Sequence, residues 1–163
     1  MVDSAHTTPC NCLAVRQAAR HITQFYDQYL APTGLRTTQY SILANLERIG
    51  ASTINLLASE LVIDRTTLGR TMLPLEREGL IAIGAGASDR RERQLRLTAK
   101  GARRLSAARE LWKEAQRDFE TAFGGERALR LRSELYAVVS SKLPHKPARN
   151  AGRRPPGRVR KGH

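Results

Sequence analysis

Apolar residues keep a helical period along most of this chain and change to strict alternation only once. From Leu13 to Leu30 they recur three or four positions apart, through Val15, Ala18, Ala19, Ile22, Phe25, Tyr26 and Tyr29, until "APTG" breaks the pattern. The spacing predicts a long first helix. A second is expected to open on Thr37 or Thr38 as cap, to carry Tyr40, Leu43, Leu46 and Ile49, and to stop at Gly50. Ser52 or Thr53 is the candidate cap of "INLLASEL", and after "VI" a fresh cap, Asp64, precedes "RTTLGRTMLPLERE", with Gly79 as its stop. Two short helices joined by so few residues form a helix-turn-helix.

The period then changes. "LIAI" and "RQLRLT" read as two short strands, the second with Leu95 and Leu97 inward and Gln94 and Arg96 outward, joined by the glycine-rich, charged loop 84–92. That predicts a β-hairpin with an exposed tip. Leu105, Ala108, Trp112, Ala115, Phe119 and Ala122 restore the helical stripe, and past Gly124 and Gly125 a last helix is expected through Leu129, Leu135, Val139 and Leu143. In the second helix of the helix-turn-helix, Arg65, Thr66, Gly69 and Arg70 share one face, and Leu68, Met72 and Leu75 form a core stripe on another. Gly69 costs that helix about 1 kcal/mol relative to alanine, which suits a backbone lying close to DNA, close helix packing or simple drift. Pro74 has no N–H for the carbonyl of Arg70, so a kink or a ragged end is expected there.

Charge adds a partner to this outline. The chain has 163 residues, with 28 Lys and Arg against 15 Asp and Glu, a net +13 that points to an anionic partner such as nucleic acid. Residues 144–163 hold seven of the basic residues, four of the seven prolines and no acid, and are expected to be a disordered basic tail. The N-terminus has neither the basic start nor the apolar core of a signal peptide, and no apolar run spans a bilayer, so a cytoplasmic protein without membrane contact is expected. Cys10 and Cys12 stand too close together to staple a fold. No G-x-S-x-G, P-loop or H-E-x-x-H motif occurs and the four histidines are scattered, so neither an enzyme nor a bound metal is expected.

A helix-turn-helix followed by a two-stranded wing places one helix in a major groove and the hairpin tip at the neighbouring backbone or minor groove. "ASDRRERQLRLTAKG" resembles the wing signature of the MarR family of transcription regulators through Asp89, Arg91, Leu95, Leu97, Thr98 and Gly101, and "LASELVIDRTTLGRTMLPLEREGLI" resembles that family's helix-turn-helix. The resemblance implies a mainly α fold with a small β-hairpin wing, an α+β winged helix-turn-helix flanked by N- and C-terminal dimerisation helices. It divides the chain into a flexible N-terminus (1–12), a single domain (13–143) and the tail, with dimerisation helices in 13–36 and 102–143 and the DNA-binding lobe in 37–101. The partners implied are double-stranded DNA and a second copy of the chain.

By the same resemblance Arg91 enters the minor groove, oriented by Asp89, with Arg90 and Arg93 on flanking phosphates. On the helix, Arg70 can pair with guanine, and Thr66 or Thr67 can meet a phosphate or a thymine methyl; Arg65 and Gly69 complete the set. Leu13, Ile22, Phe119, Leu135 and Leu143 are the interface candidates, each equally a candidate for intrachain core. No cofactor is implied, but such regulators bind small anionic aromatic or phenolic effectors, for which Arg16, His21, Tyr26, Tyr40 and Trp112 are candidate lining residues. "CLAVRQAARHITQFY" is also similar to the start of the peroxide-sensing OhrR branch, where a cysteine opening helix 1 is oxidised; a helix N-terminus favours thiolate. Tyr26 matches one activating tyrosine of that branch, whereas Arg16 and Thr37 stand at the other two positions and no later cysteine follows. Cys10 is then the resolving thiol of a strained small ring, or a metal bridges both cysteines and His6, or the thiols are inert. The reading of another class is a nonspecific basic DNA- or RNA-binding protein; aromatic residues at 5% leave it few stacking platforms.

Overall fold

The computed structural model of the protein describes residues 9–85 and 93–143. Its elements are α1 (Asn11–Leu30), a 3-10 turn (Ala31–Thr33), α2 (Thr37–Ile49), β1 (Ser52–Thr53), α3 (Ile54–Glu60), α4 (Arg65–Arg77), β2 (Ile81–Ala85), β3 (Arg93–Leu97), α5 (Ala99–Phe123) and α6 (Gly125–Ser140). This is the expected winged helix-turn-helix, mainly α with a small sheet. Residues 1–8, His6 among them, and the basic tail lie outside the described residues.

The first helix divides its stripe between two tasks. Every residue from Asn11 to His21 is exposed, and burial begins only with Tyr26 and Leu30. The tyrosine hydroxyl donates to Gln116 Oε1 of α5 at 2.6 Å, and Phe119 lies against both Phe25 and Tyr26. Neither Thr37 nor Thr38 caps α2 with its own side chain, as the sequence had suggested. Asp27 of α1 does so: its carboxylate accepts the N–H and the hydroxyl of Thr37 at 2.6 and 2.7 Å and stands 3.3 Å from the Arg36 guanidinium. Burial works to raise the Asp27 pKa, but the Thr37 hydrogen bonds and Arg36 together outweigh it and hold the carboxyl below its usual value.

Local chemistry sets the helix-turn-helix. Thr53 Oγ1 accepts the N–H of Leu56 at 3.2 Å to start α3, and Asp64 Oδ1 accepts that of Thr67 at 2.9 Å to start α4. Between them Val62 has a φ of 51°, a left-handed conformation that is costly for a β-branched residue. Pro74 does not end α4: it lies on the exposed side, the helix runs on to Arg77, and its carbonyl accepts the N–H of Glu78 at 2.9 Å. The Arg70 carbonyl forgoes its intrahelical donor, and the expected ragged end is absent.

The sheet has order β1-β3-β2, all antiparallel, with Ile81 opposite Leu97, Ile83 opposite Leu95, Ala85 opposite Arg93, and Ser52 opposite Leu95. Strand β2 thus runs two residues beyond the expected "LIAI", and β1 adds a third strand to the expected hairpin. Leu30, Leu43, Leu46, Leu57, Leu68, Leu75, Leu80 and Leu105 are fully buried in one core beneath the sheet's inner face. The first turns of α5 tie the elements together. Thr98 accepts the Gly101 N–H at 3.0 Å and gives its own N–H to the Leu80 carbonyl at 3.1 Å. Lys100 Nζ donates to the Glu78 carbonyl at 2.7 Å, and Arg104 donates to the Thr33 carbonyl at 2.6 Å while standing 3.9 Å from the Glu78 carboxylate.

The chain divides into two compact units, Met1–Gly124 and Gly125–His163. In the second, α6 exposes Leu129, Leu135, Tyr136, Val138 and Val139; Leu143, expected within the last helix, follows its end and is also exposed. Among the described residues no helix is long and apolar enough to cross a membrane.

Candidate nucleic-acid interface

Helix α4 separates its two faces sharply. At 100° per residue, Leu68, Met72 and Leu75 fall within an arc of about 60° and Thr66, Arg70, Leu73 and Arg77 within another directly opposite. The first three are 0%, 3% and 0% exposed, and the second four are all exposed. Gly69 borders the outer arc and is half-buried, whereas Arg65, in the first turn, lies nearer the buried arc in projection but is exposed at the helix start. Among the described residues a Cβ built on Gly69 meets nothing within 4 Å, so close helix packing among them does not account for that glycine. Thr67 sits at the arc's other margin and its hydroxyl donates to Asp64 Oδ2 at 2.6 Å, which commits the donor to the helix cap. These hydrogen bonds from Thr67 hold the Asp64 carboxyl below its ordinary pKa.

On the wing, Arg93 is exposed at the start of β3, paired with Ala85. It continues the row of Leu97 and Leu95 beyond the core, whereas the exposed Arg96 belongs to the opposite face of the hairpin. Asp89, Arg90 and Arg91, expected at the tip, lie outside the described residues. Among the described residues neither Arg65, Arg70 nor Arg93 is in a salt bridge.

The effector candidates do not converge within one chain. Tyr40 and Trp112 come together, stacked with centroids 6.0 Å apart and planes 13° apart. Arg109 of α5, close enough to Tyr40 to act on its pKa, is ion-paired with Glu47 of α2; sequence reasoning had singled out neither Arg109 nor Glu47. Burial raises the Tyr40 pKa, against the opposing pull of Arg109. Tyr26 is committed to the contact of α1 with α5, while Arg16 and His21 are exposed on α1. A separate shallow hollow of about 390 Å³ is lined by Gln24, Asp27, Gln28, Ala31 and Arg36.

Cys10 is the N-cap of α1 and Cys12 lies in its first turn, both exposed and neither in a disulfide. Tyr26 is fourteen residues further along the same helix, about 21 Å at 1.5 Å per residue, out of reach of Cys12 in its own chain. Among the described residues no three His, Cys, Asp or Glu side chains form a group able to hold a metal.

The MarR family profile matches residues 35–92, which take in α2 to β2 and the loop after it. The M. tuberculosis transcriptional regulator MosR is 34% identical to this chain, which covers 96% of it while 80% of this chain is matched, with a TM-score of 0.68. The chain belongs to the MarR family. It is accordingly a DNA-binding transcriptional regulator and not an enzyme. MosR has also been solved in complex with DNA. Two other solved structures share the MarR fold with this chain. The transcriptional repressor CouR, bound to a 23-mer DNA duplex, is 24% identical over 85% of this chain and 99% of CouR, with a TM-score of 0.75. Bordetella bronchiseptica BpsR, whose DNA binding is regulated by 6-hydroxynicotinic acid, is 18% identical over 85% of this chain and 99% of BpsR, with a TM-score of 0.73. A comparison with curated protein sequences finds no match.

Proposed function

We propose that the protein is a homodimeric, effector-responsive repressor that reads a pseudo-palindromic operator, with α4 in the major groove and the wing at the adjacent minor groove. The observation that carries this is the outer face of α4. Thr66 and Arg70 are exposed along the side opposite the core stripe, with Gly69 beside them, Arg65 exposed at the helix start and Arg93 exposed at the wing. Arg70 supplies a bidentate donor for guanine, Thr66 a phosphate or thymine contact, and Arg65 and Arg93 phosphate contacts. Arg91, oriented by Asp89, makes the proposed minor-groove contact, where a narrow groove concentrates negative potential on a guanidinium, with Arg90 on a flanking phosphate. The DNA complexes of MosR and CouR support the mode. Exposed Leu13 and Val15 on α1, and Leu129, Leu135 and Val138 on α6, are apolar surface suited to a second copy.

The effector of this reading is a small aromatic acid, its ring against Tyr40 and Trp112 and its carboxylate displacing Glu47 from Arg109; the response of BpsR to a hydroxynicotinic acid supports the class. Fluorescence anisotropy on the chain's own upstream intergenic DNA, with random duplex as competitor, tests the proposal. Two chains per site and a preference of about a thousandfold or more are expected. The Arg70→Ala variant should lose about tenfold or more, since a bidentate base contact is worth ~1–3 kcal/mol. Equal affinity for random duplex would replace this reading with the nonspecific basic binder.

The exposed thiols at the start of α1 favour a second reading, redox control. Peroxide would oxidise the Cys12 thiolate to a sulfenic acid with loss of hydroxide, and the Cys10 thiol would condense with it to a disulfide, releasing water. Peroxide should then lower DNA affinity reversibly with dithiothreitol, and Cys12→Ser should abolish the effect. A response that survives in Cys12→Ser removes this reading.

A further inference from the structure

We infer that Arg77, at the opposite end of α4 from its cap, is a phosphate anchor that binds the DNA backbone on the far side of the major groove from the strand met by the start of the helix. The inference rests on the reading of α4 as the major-groove helix. At about 100° per residue, Arg77 lies in projection within about 20° of both Arg70 and Thr66, and all three are exposed. Seven residues carry the chain from Arg70 to Arg77, roughly 10 Å along the helix axis. The major groove is about 12 Å wide. With Arg70 over the base pairs, a cation so far along the helix and pointing the same way has passed the groove floor and stands at the wall, where phosphates are the anionic groups on offer.

The surroundings of Arg77 leave its guanidinium available. Glu76 and Glu78 flank it in the chain, yet the Glu78 carboxylate stands 3.9 Å from Arg104 of α5, and among the described residues no salt bridge engages Arg77. The backbone just after it is held, because the Glu78 N–H donates to the Pro74 carbonyl at 2.9 Å and the Glu78 carbonyl accepts Lys100 Nζ at 2.7 Å. Lys100 and Arg104 also add positive charge at this end of α4, which favours a phosphate over any cationic partner. An arginine kept only to complement the helix dipole could stand anywhere around the last turn. Arg77 instead shares the direction of the two residues proposed to face DNA. A phosphate contact there carries no sequence information, but it fixes which base pairs fall under Arg70.

The test uses the full-length protein and the duplex it enriches from a random pool. Wild type, Arg77→Gln and Arg77→Lys, all good helix formers at that position, are titrated by anisotropy across a salt series, with circular dichroism melts confirming that the variants fold. Arg77→Gln should bind more weakly at low salt with unchanged base preference. Its slope of log affinity on log salt should be shallower by about 2, one phosphate in each half-site of the proposed dimer. Arg77→Lys, which keeps the charge, should keep most of the wild-type slope. Duplexes with a neutral methylphosphonate at each backbone position in turn should show one position per half-site that weakens wild type and Arg77→Lys and leaves Arg77→Gln unchanged. A wild-type slope and methylphosphonate profile in Arg77→Gln, or a changed base preference, would overturn the anchor; loss of preference in Arg70→Ala would then leave the reading of α4 intact. A wild type that enriches no sequence would overturn both.

Discussion

Replacing Gly101 by alanine would place a methyl group 2.0 Å from the carbonyl oxygen of Leu80 and 2.8 Å from Leu97 Cδ1. An ordinary carbon–oxygen contact is about 3.3 Å, so the start of α5 and the end of the α4–β2 turn would have to separate by more than an ångström. Overpacking of this kind costs roughly 1–3 kcal/mol. The same carbonyl accepts the Thr98 N–H and lies 3.1 Å from its hydroxyl, and each hydrogen bond disturbed adds about 1 kcal/mol. Alanine returns about 1 kcal/mol through its better helix propensity. A net loss of roughly 2–4 kcal/mol is expected, a fall of about 1–2 M in the urea midpoint with unchanged slope, followed by circular dichroism at fixed protein concentration. Gly69→Ala is the control, since it makes the same exchange in a helix but into open space, and it should gain up to about 1 kcal/mol. If Gly101→Ala left the midpoint unchanged or raised it, the close approach to Leu80 would be refuted.

Asp27→Ala leaves the Thr37 N–H without its charged acceptor and should cost about 2 kcal/mol. Because the folded pKa of Asp27 is depressed, its contribution is complete above the unfolded value near 3.9 and is lost as pH falls through the folded value, so acid titrations of wild type and Asp27→Asn should converge at low pH. Val62→Gly relieves a left-handed β-branched residue and should raise the urea midpoint, by about 1 kcal/mol at most; a fall would show that the turn is unstrained. Among the described residues Ser52 Oγ is buried with no hydrogen-bond partner, so Ser52→Ala should be neutral or stabilising by up to about 1 kcal/mol in the same titration, and a marked loss would reveal a partner.

What the sequence made legible follows from the range of the forces involved. The inner stripe of α4, the caps at Thr53 and Asp64 and the alternation of Leu95 with Arg96 are set within a few residues and were readable as patterns. Strand β1 has two residues, too few for alternation to register. The cap on α2 comes from Asp27, ten residues before Thr37, and depends on how α1 turns into α2. Tyr40 and Trp112 were each candidates, but their stacking and the pairing of Arg109 with Glu47 join residues more than sixty positions apart. Pro74 was read from its missing donor alone, and the helix tolerates it because it stands on the exposed side. Arg77 was overlooked because a basic residue in the last turn of a helix reads first as a complement to the helix dipole.

In the proposed mode, with α4 in the major groove, the clamp that α5 closes on Glu78 makes that helix a lever with its fulcrum at its C-terminal end. Lys100 and Arg104 hold the chain just after the C-terminus of α4, and Arg104 also grips the turn that follows α1. The thirteen residues of α4 project about 20 Å from that fulcrum. A tilt of α5 by about 5° would sweep Arg65 through roughly 2 Å, more than half the length of a hydrogen bond. Distortions too small to disturb the core would therefore be amplified at the N-terminal end of α4 proposed to meet DNA, and the proposed effector against Trp112 would act on the short arm of that lever.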